Sequence, residues 1–182
     1  MCKNLNSKLI KIPKNVTISI EKCTNEIVLS NEHNTIKLKL NKNINIIKDY
    51  NYITLQLLNN NKENKKYLGL YASLLKKNMK GVAQKFKLNL YLNGIGFKVN
   101  KLENRLIFKL GYSHDIIIDI PEGIEVSIIK KVQIFIYGSN WGKLTQFAHT
   151  IKRLKKVEPY KGKGILLKNE KVLRKEGKKN KK

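Results

Sequence analysis

Arginine is almost missing from a chain otherwise full of positive charge. Only Arg105, Arg153 and Arg174 break a run of lysine that supplies the rest of the 38 Lys+Arg residues. Cysteine is as scarce. Cys2 and Cys23 are too few for a disulfide framework, and His33, His114 and His149 stand singly, with no metal-ligand spacing. No cofactor is expected. Uninterrupted apolar runs stop after a few residues, as in III at 116–118, far short of the ~18 needed to span a bilayer. The opening MCKNLNSKLIKIPKN has no apolar stretch of a secretory signal, and the lack of arginine before Arg105 leaves no Arg-rich import peptide. The absences predict a soluble protein of a reducing compartment, made where it works, with no membrane association.

What is present is charge. With 13 Asp+Glu the formal balance is +25 on 182 residues, whereas solubility of a small domain is served by about 2–8. A field of this sign draws polyanions, and nucleic acid is the leading partner class. The charge is also uneven: between Lys152 and Lys182 there are 14 Lys+Arg against Glu158, Glu170 and Glu176. Lysine meets phosphate as a point charge where arginine offers a planar fork, so this composition predicts contacts that track an RNA or DNA backbone more than they read bases. Abundant Lys, Asn and Ile, which have A/T-rich codons, point to an A/T-rich genome such as that of an organelle or a reduced bacterium.

Alternating apolar and polar residues in VTISIE (16–21), TIKLKL (35–40), FKLNLYL (86–92) and RLIFKL (105–110) predict half-buried antiparallel strands. Two stretches change to helical spacing: Tyr67, Leu70, Tyr71, Leu74 and Leu75 within 64–80, and Leu144, Phe147, Ala148, Ile151 and Leu154 within 140–156. Gly81 is placed to end the first helix, and Ser139 or Asn140 to cap the second. IKIPKNVTISIEK (10–22) resembles IDIPEGIEVSIIK (118–130) at an offset of 108, which suggests an internal duplication. The fold class expected is α+β: two tandem similar domains, each an antiparallel sheet with one packed helix, over residues 1–81 and 82–168. A basic tail over 169–182 follows; its terminal KEGKKNKK lacks apolar residues, and from about Glu170 the tail is expected to order only against an anion.

The motif with most chemistry is PYKGKG (159–164). It is no Walker loop, because Val157 stands where the first glycine belongs and Gly164 where Ser or Thr should follow Lys163. Lys161 and Lys163 can still neutralise phosphate, Gly162 and Gly164 free the backbone for close approach, and Tyr160 offers an aromatic face. Lys152, Arg153, Lys155 and Lys156 close the second helix, where cations also favour its dipole. LNGIGFKV (92–99) lacks the third small residue of a dinucleotide fingerprint and reads as a hairpin or bulge. LGYSHD (110–115) puts Ser113, His114 and Asp115 in a row, a spacing that cannot form a catalytic relay and reads as a turn. Tyr67, Tyr71, Trp141 and Phe147 read as core. Nothing resembles a clustered acid/base site, which excludes an enzyme on these residues.

IKIPKNVTISI, LNGIGFKV, LGYSH, IPEGIEVSI and above all EPYKGKGI followed by VLRKEGKKNKK resemble, in that order, large-subunit ribosomal protein six of the bacterial and organellar type. The resemblance implies two tandem α+β domains and a non-catalytic constituent of the large ribosomal subunit. Its partners would be large-subunit ribosomal RNA near the factor-binding region and neighbouring proteins at the stalk base, with no homo-oligomer. Carried over by position, the RNA-binding residues are Lys152, Arg153, Lys155, Lys156, Tyr160, Lys161, Gly162, Lys163 and Gly164, with Lys168, Lys171, Arg174, Lys175, Lys178 and Lys179 of the tail. Val157 and Ala72 depart from the residues the family often carries there. The location expected is a ribosome, with a mitochondrion first and a plastid or a bacterial cytoplasm as alternatives. Another basic RNA-binding or RNA-processing protein is the rival reading.

Overall fold

The structure is a computed structural model that describes residues 7–21, 25–32, 34–58 and 62–177, with the side chains of Lys62 and Glu63 left aside. Two compact units divide after Lys85, and residues 139–141 group with the first. The first holds β1 (Ser7–Lys11), β2 (Thr17–Glu21), β3 (Glu26–Ser30), β4 (Thr35–Lys39), β5 (Ile44–Lys48), β6 (Tyr52–Leu57) and helix α1 (Lys62–Ala83). The second holds β7 (Phe86–Asn93), β8 (Lys98–Leu102), β9 (Arg105–Lys109), β10 (Ile116–Asp119), β11 (Ile124–Ile129), β12 (Gln133–Gly138), helix α2 (Trp141–Leu154) and β13 (Gly164–Leu167). Mixed helix and antiparallel strand in two parts is the α+β class that the patterning predicts. Among the described residues, however, each unit carries two sheets and not one: β1-β6-β5 and β2-β3-β4 in the first, β11-β12-β7-β13 and β10-β9-β8 in the second.

These sheets reveal a duplication at a different offset from the one suggested by sequence. β1 to β6 pair in the same order as β7 to β12, and Ile44 opening β5 stands against Ile124 opening β11, 124 − 44 = 80 residues on. Buried positions follow: Ile10 and Leu90, Ile18 and Val99, Ile27 and Leu106, Leu29 and Phe108, Ile53 and Ile134, Leu55 and Ile136. The turns follow too. The Ile44 amide donates to Asn41 O (3.1 Å) as Ile124 does to Pro121 O (3.2 Å), and Val16 donates to Pro13 O (3.2 Å) as Phe97 does to Gly94 O (3.3 Å). The match at 108 instead sets β2 and β3 against β11 and β12, which occupy different sheets of their units, and its Lys22 lies outside the described residues. It misled because strands of period 2 resemble one another at any register, and because Pro13 and Pro121 both open an i to i+3 turn in front of an Ile/Val-rich strand.

Each helix seats an apolar stripe on its unit. On α1 the buried apolar residues are Leu68, Ala72, Leu75, Met79 and Val82, each long aliphatic chain contributing about 1.5–3 kcal/mol by leaving water. The expected stripe is rotated: Tyr67 and Leu70 are exposed, and small Ala72 faces the core. Gly81 lies inside α1, which runs on to Ala83, with Gln84 N–H still donating to Lys80 O at 2.8 Å. On α2 the buried stripe Leu144, Phe147, Ala148 and Ile151 is the expected one except for Leu154, which is half-buried, and the helix starts directly after Asn140. LNGIGFKV forms a tight turn, but not a hairpin, since β7 and β8 belong to different sheets.

Candidate nucleic-acid interface

Everything distinctive in the second unit follows α2. The helix ends at Leu154 with Lys152 and Arg153 in its last turn, where the partial negative charge of free carbonyls favours cations. The chain then doubles back into β13, which pairs antiparallel with the edge of β7 that β12 leaves open, Gly164 opposite Asn93 and Leu167 opposite Leu90. PYKGKG is the loop between. The Glu158 amide donates to Lys163 O (2.8 Å), the Gly162 amide to Glu158 O (3.0 Å), and Asn93 Nδ2 to Gly162 O (2.9 Å).

The alternation in this loop divides the labour. Tyr160, Lys161 and Lys163 are exposed, whereas Gly162 and Gly164 are buried. Gly164 has φ +143°, and a Cβ there would sit 2.7 Å from Val157 Cα and 2.8 Å from Lys156 O. Only glycine lets the loop close so tightly on the end of α2. Gly162, at φ +68°, has the Arg174 guanidinium over it, 3.5 Å from where a Cβ would be. The glycines thus have a folding role in seating the loop, and the lysines between them point to solvent.

The tail does not leave the unit at once. Lys168 N–H donates to Asn89 O (3.1 Å), Glu170 N–H to Leu167 O (3.0 Å) and Lys175 N–H to Pro159 O (3.0 Å). Glu170 anchors it: one carboxylate oxygen takes Lys152 Nζ and the other accepts the Leu167 amide. The hydrogen bond from Lys152 holds the Glu170 carboxyl below its ordinary value, against the upward push of burial, with the Leu167 amide adding to the lowering. A groove of about 480 Å³ opens between α2 and this tail, with Lys152, Arg153, Lys156 and Lys171 on its walls.

The structure therefore brings Lys152, Arg153, Lys155, Lys156, Tyr160 to Gly164, Lys168, Lys171, Arg174 and Lys175 onto one segment folded against β7 and α2. They are not equivalent. Lys152 is committed to Glu170, and Lys155 Nζ sits 4.1 Å over the Tyr112 ring. Arg153, Lys156, Lys161, Lys163, Lys168, Lys171, Arg174 and Lys175 are exposed. Lys178 and Lys179 lie outside the described residues. Ala72 is buried in the first unit, so the departure there falls on packing; Val157 is the residue against which Gly164 closes. Sequence reasoning missed β13, whose four residues GILL are too short to show alternation, and missed Glu170 as an anchor because an acid inside a basic run reads as incidental. Among the described residues no group of His, Cys, Asp and Glu could hold a metal, and no helix is long and apolar enough to cross a membrane.

A family model described as Ribosomal protein L6 matches residues 93–167, from the end of β7 through β13. The chain is 33% identical over 174 residues to the large ribosomal subunit protein uL6 of Mycoplasmopsis synoviae, covering 96% of each chain. It is 36% identical over 169 residues to uL6 of Alkaliphilus oremlandii, covering 93% of this chain and 94% of that one. It is 36% identical over 174 residues to uL6c of Trieres chinensis, covering 95% and 96%. Full-length similarity at this level, with the matched segment running through the loop and strand that distinguish the second unit, makes the chain a member of the ribosomal protein L6 family.

Proposed function

We propose that the chain is a structural constituent of the large ribosomal subunit that binds large-subunit ribosomal RNA near the factor-binding region, chiefly through the segment from Arg153 to Lys175. The observation that carries this is the division within PYKGKG: glycines turned inward to seat the loop, Lys161 and Lys163 turned outward on a rigid strand-backed platform. Exposed lysines displace condensed counterions from the RNA backbone, and that release drives association. The mechanism is electrostatic and steric, with no bond made or broken. The two units are the domains, and neighbouring proteins at the stalk base are the further partners. Membership of the family and full-length likeness to uL6 proteins support the assignment. A mitochondrial ribosome remains part of the proposal on the Lys-, Asn- and Ile-rich composition, and subcellular fractionation tests it.

Sedimentation of a native extract through a density gradient tests the function. The protein is expected to travel with large subunits at moderate salt and to be released as salt rises. A peak of free protein at moderate salt overturns the assignment.

A further inference from the structure

Two turns read from sequence as bland connections meet the end of α2. The first runs from Gly94 to Phe97 and carries Ile95, 93% exposed, at its tip. The second, Gly111 to His114, carries Tyr112, 46% exposed. Lys155 joins them, its Nζ 4.1 Å from the Tyr112 ring centre and 5.9 Å from that of Phe97. The first turn also reaches PYKGKG, because Asn93, directly before it, donates to Gly162 O.

Tyr112 is fixed unusually well for an exposed ring. Its hydroxyl donates to Leu154 O at 3.0 Å, and the ammonium of Lys155 lies over it. Capping the last carbonyls of α2 explains the hydroxyl. It leaves the neighbouring ring unexplained: exposed His114 stacks beside Tyr112 with centroids 6.4 Å apart and planes 25° from parallel. An aromatic pair with one ring held in place, beside the Lys155 ammonium, matches the physics of proteins that hold unpaired nucleotides, where rings take the bases and cations the backbone.

We propose that Tyr112 and His114 form a stacking platform for an unpaired base of large-subunit ribosomal RNA whose flanking phosphates lie on Lys161 and Lys163. Positive charge on this end of the unit selects RNA over a protein partner with an apolar face. The inference rests on the proposed function and adds a non-ionic contact to its ionic ones. Stacking of one base on an aromatic side chain contributes enough to change affinity by roughly tenfold or more, and it leaves the salt dependence untouched because no counterion is released.

The test uses the full chain and a large-subunit ribosomal RNA transcript, with affinity measured over a salt series and base reactivity mapped by chemical probing. His114→Ala is expected to weaken binding roughly tenfold with an unchanged salt slope, and to restore reactivity at one unpaired base protected by the unmodified protein. Tyr112→Leu should do the same, whereas Tyr112→Phe, which keeps the ring, should bind within roughly threefold of the original. His114→Ala guards against a folding artefact, since its ring is exposed. Unaltered affinity and footprint in His114→Ala and in folded Tyr112→Leu overturn the platform while the RNA assignment stands. Failure of the unmodified chain to bind the transcript overturns that assignment and the platform with it.

Discussion

The two units are the same frame used twice, one plain and one extended. Six strands and a helix recur with matched sheet order, matched tight turns and matched buried positions. After α1 the first unit passes to β7 within a few residues, and among the described residues β1 pairs only with β6. After α2 the second unit continues through PYKGKG into β13, which occupies the edge of β7 equivalent to the edge of β1 away from β6. The frame supplies stability, and the added segment supplies a rigid cationic loop. An open sheet edge is a standing invitation to pairing, and here the chain's own continuation answers it in one unit.

Replacing equivalent core residues tests the sameness of the frame and should have the largest effect. Ile53 and Ile134 are both fully buried, each on a strand with a partner on either side. Ile53→Ala and Ile134→Ala are each expected to cost about 2–5 kcal/mol by leaving a cavity, measured by chemical denaturation. A cost at one site and none at the other would break the equivalence.

Gly164→Val attacks the extension alone. The positive φ and the clash with Val157 and Lys156 backbone should cost about 1–3 kcal/mol, and amide exchange should rise across β13 and its partners on β7. Gly177→Val is the control, since a Cβ there meets nothing within 4 Å, and its effect should stay within about 0.5 kcal/mol.

Glu170→Gln probes the anchor of the tail and should matter least. The Lys152 pair is partly exposed, so about 0.5–1 kcal/mol is expected. Because the Glu170 carboxyl is held below its ordinary 4.5, its stabilisation is present above that pH and lost as pH falls through the lowered value. Tail exchange in the unmodified protein should therefore accelerate only in acid below 4.5, and Glu170→Gln should abolish that pH-linked part.

Strand positions, the α2 stripe and the PYKGKG loop were legible because period, charge and glycine placement are local properties. The correct repeat was not. Ile10 against Leu90 and Leu29 against Phe108 preserve burial without preserving identity, and only the pairing order shows them to be equivalent. The α1 face was misread because Ala72 gives a weak apolar signal yet is buried, while the larger Tyr67 and Leu70 stay exposed. The inward role of Gly164 depends on Val157 and Lys156 meeting it across the loop, which spacing alone does not show. Tyr112 and His114 read as an ordinary turn from sequence, since neither the Lys155 ammonium over the Tyr112 ring nor the His114 ring beside it follows from local spacing.

The central claim is that RNA binding resides in the extension of the second unit and not in lysine content at large. Affinity for large-subunit ribosomal RNA over a salt series, in two double variants of equal charge change, tests it most directly. Lys161→Ala with Lys163→Ala should weaken binding and lower the slope of log affinity against log salt by roughly two, about 0.9 for each phosphate that is no longer neutralised. Lys37→Ala with Lys39→Ala removes two exposed lysines from β4 of the plain unit and should leave the slope almost unchanged. Equal losses in the two variants, or a larger loss in the second, would contradict the account.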